Sequence, residues 1–221
     1  MKLALLLPGY LDSPDYLHLT MFDKRLQQLG YTVERLDACH LWETSKVENY
    51  TITNFIEQIR GRVEFYKDQQ PEEVVLLGHS MGGFTAIVAG NRIPAVTKII
   101  ALCPPPDRYG SVSKWGGTAV RVSKRDLPDN PDQTREFAIP FSYVEDGLQY
   151  SAVEDAKLIE KPLMIFIALD DVVVAPELTE RIVAVARSPH VVRQPGIGHD
   201  FRRSPEQCEV VWREIEGFLK S

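Results

Sequence analysis

Ser80 stands in Gly78-His79-Ser80-Met81-Gly82, Asp171 in Leu169-Asp170-Asp171-Val172-Val173-Val174-Ala175-Pro176, and His199 in Gly196-Ile197-Gly198-His199-Asp200-Phe201. A hydroxyl, a carboxylate and an imidazole can together perform nucleophilic acyl chemistry. Near neutral pH a serine hydroxyl is a poor nucleophile. It needs a base within hydrogen-bond reach and a third group that fixes the tautomer of that base. The surroundings of Ser80 suit the nucleophile. Val74-Val75-Leu76-Leu77 has strand character and runs straight into Gly-x-Ser-x-Gly, and the helix-compatible Phe84–Ala89 follows. A sharp strand-to-helix turn lifts the serine oxygen clear of a sheet, and glycines at 78 and 82 let the two elements approach.

His199 is the candidate base, because it lies just past a strand-like run, in a loop loosened by glycines ahead of the last helix. His18 in the first helix, His40 in an early loop and His190 at a strand start are read as surface or satisfied histidines. The same reading covers His79, which neighbours the serine but is expected to point away from its reaction side. Asp171 is the candidate acid, at the carboxyl end of a predicted strand, where open α/β sheets collect functional groups. Asp170 stays open as a rival, since a one-residue register change exchanges the two, and Asp107 is a more distant one.

These residues need a frame, and the pattern supplies one. Strands are predicted at Lys2–Leu7, Tyr31–Leu36, Glu73–Leu77, Val96–Leu102, Pro162–Leu169 and His190–Arg193. Helical spacing predicts helices at Tyr16–Leu29, Asn49–Lys67, after Ser80 to about Arg92, Glu177–Arg187 and about Pro205 to Lys220. Short apolar strands alternating with helices imply a largely parallel sheet of about six strands, flanked by helices on both faces, in one domain. The alternation breaks after Pro104-Pro105-Pro106, so residues 104–161 are read as a lid insertion. Its aromatics, Tyr109, Trp115, Phe137, Phe141, Tyr143 and Tyr150, suffice to form helices over a pocket or to tie the insertion to the body.

With 221 residues, 44% hydrophobic, the chain can bury one substantial core. A net charge of −6 without a basic cluster argues against a nucleic-acid partner. The apolar N-terminal run is too short for a signal peptide, and no stretch reaches the length of a membrane span. Three cysteines far apart, Cys39, Cys103 and Cys208, argue against a disulfide framework and for a cytoplasmic location. No metal-ligand spacing or Gly-rich nucleotide loop is present, so no cofactor or metal is expected.

The order Ser80, Asp171, His199, with the three motifs quoted above, resembles the α/β-hydrolase superfamily from Leu3 to Leu219. The resemblance implies an α/β-hydrolase fold beginning at the family's third strand. It also implies an oxyanion hole made by the backbone amides of Met81 and Tyr10, with Leu11 as the alternative to Tyr10. Many members carry His-Gly in that first loop, where this chain has Pro8-Gly9-Tyr10. The expected reaction is hydrolysis of small to medium carboxylic esters through an acyl-enzyme, by a monomer or homodimer. The alternatives are hydrolysis of lactones, or a non-catalytic binding protein that keeps the fold.

Overall fold

The computed structural model describes residues 1–107, 112 and 115–221. The first half builds β1 (Lys2–Leu7), α1 (Leu17–Gln28), β2 (Tyr31–Arg35), α2 (Leu41–Thr44), α3 (Ile52–Phe65), β3 (Glu73–His79), α4 (Met81–Arg92) and β4 (Lys98–Leu102). An insertion follows, with β5 (Val120–Leu127), β6 (Asn130–Pro140), α5 (Ser142–Gly147) and α6 (Ala152–Ala156). The chain then returns to the body through β7 (Leu163–Ala168), α7 (Pro176–Val183), β8 (His190–Gln194) and α8 (Pro205–Lys220). Six strands pair in parallel in the order β2-β1-β3-β4-β7-β8, as the alternating pattern predicts.

Because side chains along a strand alternate in direction, a sheet covered on both faces divides its apolar residues between two cores. Leu3, Leu5, Val74, Leu76, Ile99 and Ile165 meet α3 and α4 through Phe55, Ile59, Phe84 and Ile87. Ala4, Leu6, Val75, Leu77, Ile100 and Phe166 meet α1 and α8 through Phe22, Leu26, Val211 and Trp212. Full burial of each large apolar side chain contributes about 1.5–3 kcal/mol. Local signals set the helix ends. Thr51 Oγ1 accepts from Asn54 N at the start of α3, Ser204 Oγ from Gln207 N at the start of α8, and Gly30 adopts φ 85° after α1.

The insertion, which shows no sustained alternation in the sequence, is more regular than that pattern suggests: beside two short helices, its largest unit is an antiparallel hairpin of β5 and β6 joined across Pro128-Asp129. Phe137 and Ile139 of β6 are buried in the core shared with α3 and α4. Tyr16 Oη donates to Asp126 O at 2.8 Å and Arg135 Nη1 to Trp42 O at 2.6 Å, so both strands are tied to the body. Among the named aromatics, Tyr109 lies outside the described residues. The helix expected at Glu177–Arg187 is shorter, ending at Val183.

The chain leaves β1 outward to edge strand β2, then returns to place β3 on β1's other side. The carboxyl ends of β1 and β3 therefore flank a switch point, where open α/β sheets leave a crevice. No helix among the described residues is long and apolar enough to cross a membrane. Cys39, Cys103 and Cys208 are free and buried, and burial pushes the thiols of Cys39 and Cys208 up to about 12.

Candidate active site

The turn between β3 and α4 forces Ser80 to φ 54° and ψ −117°, a conformation that non-glycine residues avoid. Its backbone is held on both sides: Ser80 N donates to Leu102 O at 2.8 Å, and Ser80 O accepts from Phe84 N at 2.9 Å. The flanking glycines make the turn possible. A Cβ on Gly78 would sit 2.1 Å from Gly82 O, and one on Gly82 would sit 2.1 Å from Leu7 O. Gly82→Ala is therefore expected to destabilise by about 3 kcal/mol or more, read by urea unfolding. Gly61→Ala is the control, since a Cβ there in the middle of α3 meets nothing within 4 Å. That change should stabilise by about 0.5–1 kcal/mol. Equal effects from the two would remove the close-approach account of the turn.

The three residues singled out in the sequence come together. His199 Nε2 lies 2.9 Å from Ser80 Oγ, and His199 Nδ1 lies 2.6 Å from Asp171 Oδ2. The second carboxylate oxygen of Asp171 accepts from Val173 N and Val174 N, both at 2.8 Å. The network assigns the tautomer, with Nδ1–H donating to Asp171 and Nε2 accepting from the serine hydroxyl. Asp171 is buried while its rival Asp170 is exposed. Asp107, the other rival, pairs instead with Arg181 at 3.2 Å.

In the loop after β1, Leu11 N donates to Tyr50 Oη at 2.7 Å. Leu11 itself sits at φ 58°. Met81 opens α4, and its sulfur receives the hydroxyls of Tyr50 at 3.4 Å and Tyr143 at 3.2 Å. A cavity of about 900 Å³ opens over Ser80 and His199. Tyr10, Trp115, Tyr143 and Leu178 supply apolar walls, and Arg121 and Arg125 of β5 line it from the insertion. The insertion's aromatics thus both wall the cavity and anchor the insertion in the core.

Behind the imidazole lies a cluster that the sequence reading missed. His18 and His79 are buried, and none of their ring nitrogens has a hydrogen-bond partner, so neither is a surface or satisfied histidine. The His79 ring lies 4.8 Å from that of His199, and its Nδ1 is 3.9 Å from Asp12 Oδ2. Burial pushes His18 down to about 3 and holds His79 well below the ordinary histidine range. Burial also raises the carboxyl of Asp12, against the pull of Arg202 and Arg125.

Below about pH 6.5 the unfolded chain protonates both histidines and the folded chain does not, so their stability contribution is complete above that pH and is lost as pH falls, for His18 down to about 3. Each such histidine contributes a slope of about 1.4 kcal/mol per pH unit within that window. Asp12 acts in the opposite direction, so the comparison between variants isolates the histidine. His18→Leu should be less acid-sensitive than the parent by about one proton's slope in urea unfolding between pH 7 and 5. Parallel curves would disprove the burial of a neutral His18.

Donor atoms of His79, Cys103 and His199, and of Asp12, His18 and His79, lie within 4.8 Å of one another in two groups. Residues so distant in sequence show no metal-ligand spacing, which is why none was expected. Both nitrogens of His199 are already engaged, and the Arg202 guanidinium stands 3.9 Å from Asp12, where it opposes a cation.

Known proteins share this frame. The structure of Est1E from Butyrivibrio proteoclasticus with ferulic acid bound is similar with a TM-score of 0.75 at 17% identity, covering 100% of this chain and 89% of that one. A structure reported for the metagenome-derived lipolytic enzymes LipS and LipT gives 0.77 at 15% identity, over 99% and 94%. The esterase domain of a Rhodothermus marinus protein gives 0.68 at 20% identity, over 98% and 85%. No curated protein matches the sequence. The model of the Alpha/beta hydrolase family matches residues 4–210, nearly the whole chain including Ser80, Asp171 and His199, and the chain belongs to that family.

Proposed function

We infer that the chain is a serine hydrolase of carboxylic esters of small to medium size, working through an acyl-enzyme on Ser80. The observation that carries this reading is the unbroken line from Asp171 through His199 to Ser80 Oγ, at 2.6 and 2.9 Å, on a strained turn that opens into a cavity. In the first step His199 Nε2 takes the hydroxyl proton as Ser80 attacks the ester carbonyl. The imidazolium, stabilised by Asp171, then protonates the departing alcohol. In the second step the same nitrogen activates water against the acyl-serine.

The developing oxyanion is received by backbone amides. Met81 is the first residue of α4, so its N–H has no acceptor within the helix and the helix dipole adds positive potential there. In the opposing loop the Leu11 N–H is already committed to Tyr50 Oη, which favours Tyr10 as the second donor. Donors of this kind contribute about 3–4 kcal/mol each where their geometry is good. The cavity lies within the ~300–1,000 Å³ usual for small-molecule sites, and its aromatic walls suit an acyl or alcohol part with apolar surface. The ferulic acid bound in Est1E makes aromatic esters a reasonable first panel beside p-nitrophenyl esters.

The test is labelling with a fluorophosphonate, which reacts with activated serines. One adduct per chain is expected, mapping to the peptide that contains Ser80, together with hydrolysis of p-nitrophenyl butyrate. A folded sample that takes no adduct and cleaves no ester in the panel would replace this reading with that of a non-catalytic binding protein.

A further inference from the structure

We propose that Arg125, carried by the insertion hairpin, is a positioning residue for the oxyanion loop, so that seating the hairpin completes the catalytic machinery. The inference rests on the serine-hydrolase reading and adds a part to it. Arg125 Nε donates to the Tyr10 carbonyl at 3.0 Å and Nη2 donates to the same oxygen at 2.5 Å. Its guanidinium also stands 5.6 Å from the Tyr10 ring centroid. That carbonyl belongs to the peptide whose N–H, on Leu11, donates to Tyr50 Oη at 2.7 Å. One peptide plane is thus gripped from both ends, its oxygen by the insertion and its nitrogen by the body.

The grip has a reason. Leu11 sits at φ 58°, which a leucine does not adopt without being held there. Tyr10, whose amide is the inferred oxyanion donor, is the residue immediately before. The rotation of its carbonyl about the Cα–C bond is what Arg125 fixes, and with it the path of the loop away from Gly9. Asp12 N–H closes the same turn onto Gly9 O at 3.1 Å, and the Asp12 carboxylate lies 3.5 Å from Arg125. Asp12 and Arg125 therefore tie the two ends of the loop to each other.

Register places Arg125 for this task. In an antiparallel ladder, residues directly opposite share a face. Arg125 pairs with Arg135, and along the same face Ser123 pairs with Phe137 and Arg121 with Ile139. Phe137 and Ile139 are buried in the core, so this is the face that β5 and β6 turn toward the body. At the hairpin end, Tyr16 Oη holds Asp126 O, and Arg203 holds the Asp126 carboxylate at 3.0 Å. Arg125 thus sits on a segment anchored immediately beside it, which lets a hairpin outside the main sheet set the geometry of a loop within it.

Misplacing a catalytic amide by about 1 Å costs roughly 100-fold in rate. Arg125→Ala is therefore expected to lower kcat on p-nitrophenyl butyrate by about 10- to 100-fold, with KM changed by less than about threefold. Added guanidinium or methylguanidinium at millimolar concentration should restore part of the kcat of Arg125→Ala, and should leave the wild type unaffected. Arg125→Lys, a single-donor cation, should fall between the two. A fully active Arg125→Ala, or a kcat loss that guanidinium does not rescue in a variant of wild-type unfolding stability, overturns the positioning role while the hydrolase reading stands. A wild type that neither labels nor hydrolyses overturns the hydrolase reading itself.

Discussion

Ser80→Ala should unfold like the parent and lose ester hydrolysis by about 10³-fold or more, together with the fluorophosphonate adduct. The expectation of an intact fold comes from what holds residue 80. Its amide donates to Leu102 O and its carbonyl accepts from Phe84 N, and both bonds survive the loss of the side chain. The side-chain oxygen reaches only into the site, at 2.9 Å from His199 Nε2. Alanine meets the same backbone strain as serine at φ 54°, so the strain does not change either. What is lost is the atom that becomes covalently bonded to the acyl group. The residual rate expected is that of the inferred oxyanion donors, the amides of Met81 and Tyr10, and of substrate binding, which can hold water near a polarised carbonyl. Steady-state kcat/KM on p-nitrophenyl butyrate reads the loss, and urea unfolding within about 1 kcal/mol of the parent reads the fold. Hydrolysis at the parental rate would show that the chemistry, if any, lies elsewhere on the molecule.

How much of this was legible depends on which forces wrote each part. The inner strands of the sheet were, because burial on both faces demands near-continuous apolar runs such as Leu3–Leu7 and Val74–Leu77, while the part-exposed edge strands β2 and β8 showed through their β-branched residues. The turn at Ser80 was legible because only glycine fits at 78 and 82, where a Cβ would overlap backbone oxygen. The β5–β6 hairpin was not. No residue of β5 is buried and half of them, Val120 and Val122 included, are exposed, so hydrophobic alternation carries little signal, and Pro131 and Pro140 flank the strand pattern of β6. A local cue was Pro128-Asp129, a turn pair at the bend of the hairpin. The burial of His18 was also hidden. A histidine in an amphipathic helix reads as polar, and only the packing of α1 against Phe201 and His79 removes it from water. The role of Arg125 depends on a contact across 115 residues of sequence, which no local pattern records.

The sequence favoured Asp171 but left Asp170 open as a rival, and the choice gives the second large effect: Asp171→Asn should reduce kcat by about 10⁴-fold, and Asp170→Asn by less than about twofold. The difference follows from which atoms hold each carboxylate. Asp171 Oδ1 accepts two backbone N–H groups, from Val173 and Val174, so in an asparagine the amide oxygen must occupy that position. A flip would set the NH₂ group against two donors. The NH₂ is therefore left facing His199 Nδ1, where Asp171 Oδ2 stood at 2.6 Å. Nδ1 must then present its lone pair, the ring proton moves to Nε2, and a donor rather than an acceptor faces the Ser80 hydroxyl. The nucleophile and its base remain in place while the base is blocked by its own proton, so substrate binding persists as catalysis is lost. Asp170 is exposed, and its contribution at this turn is a backbone one, the amide that donates to Ile197 O at 3.1 Å, which asparagine preserves. Measuring kcat and KM for both variants with unfolding curves for each separates these effects. A larger loss in Asp170→Asn would transfer the acid's role to that residue, and equal small losses would mean that His199 needs no carboxylate to hold its tautomer.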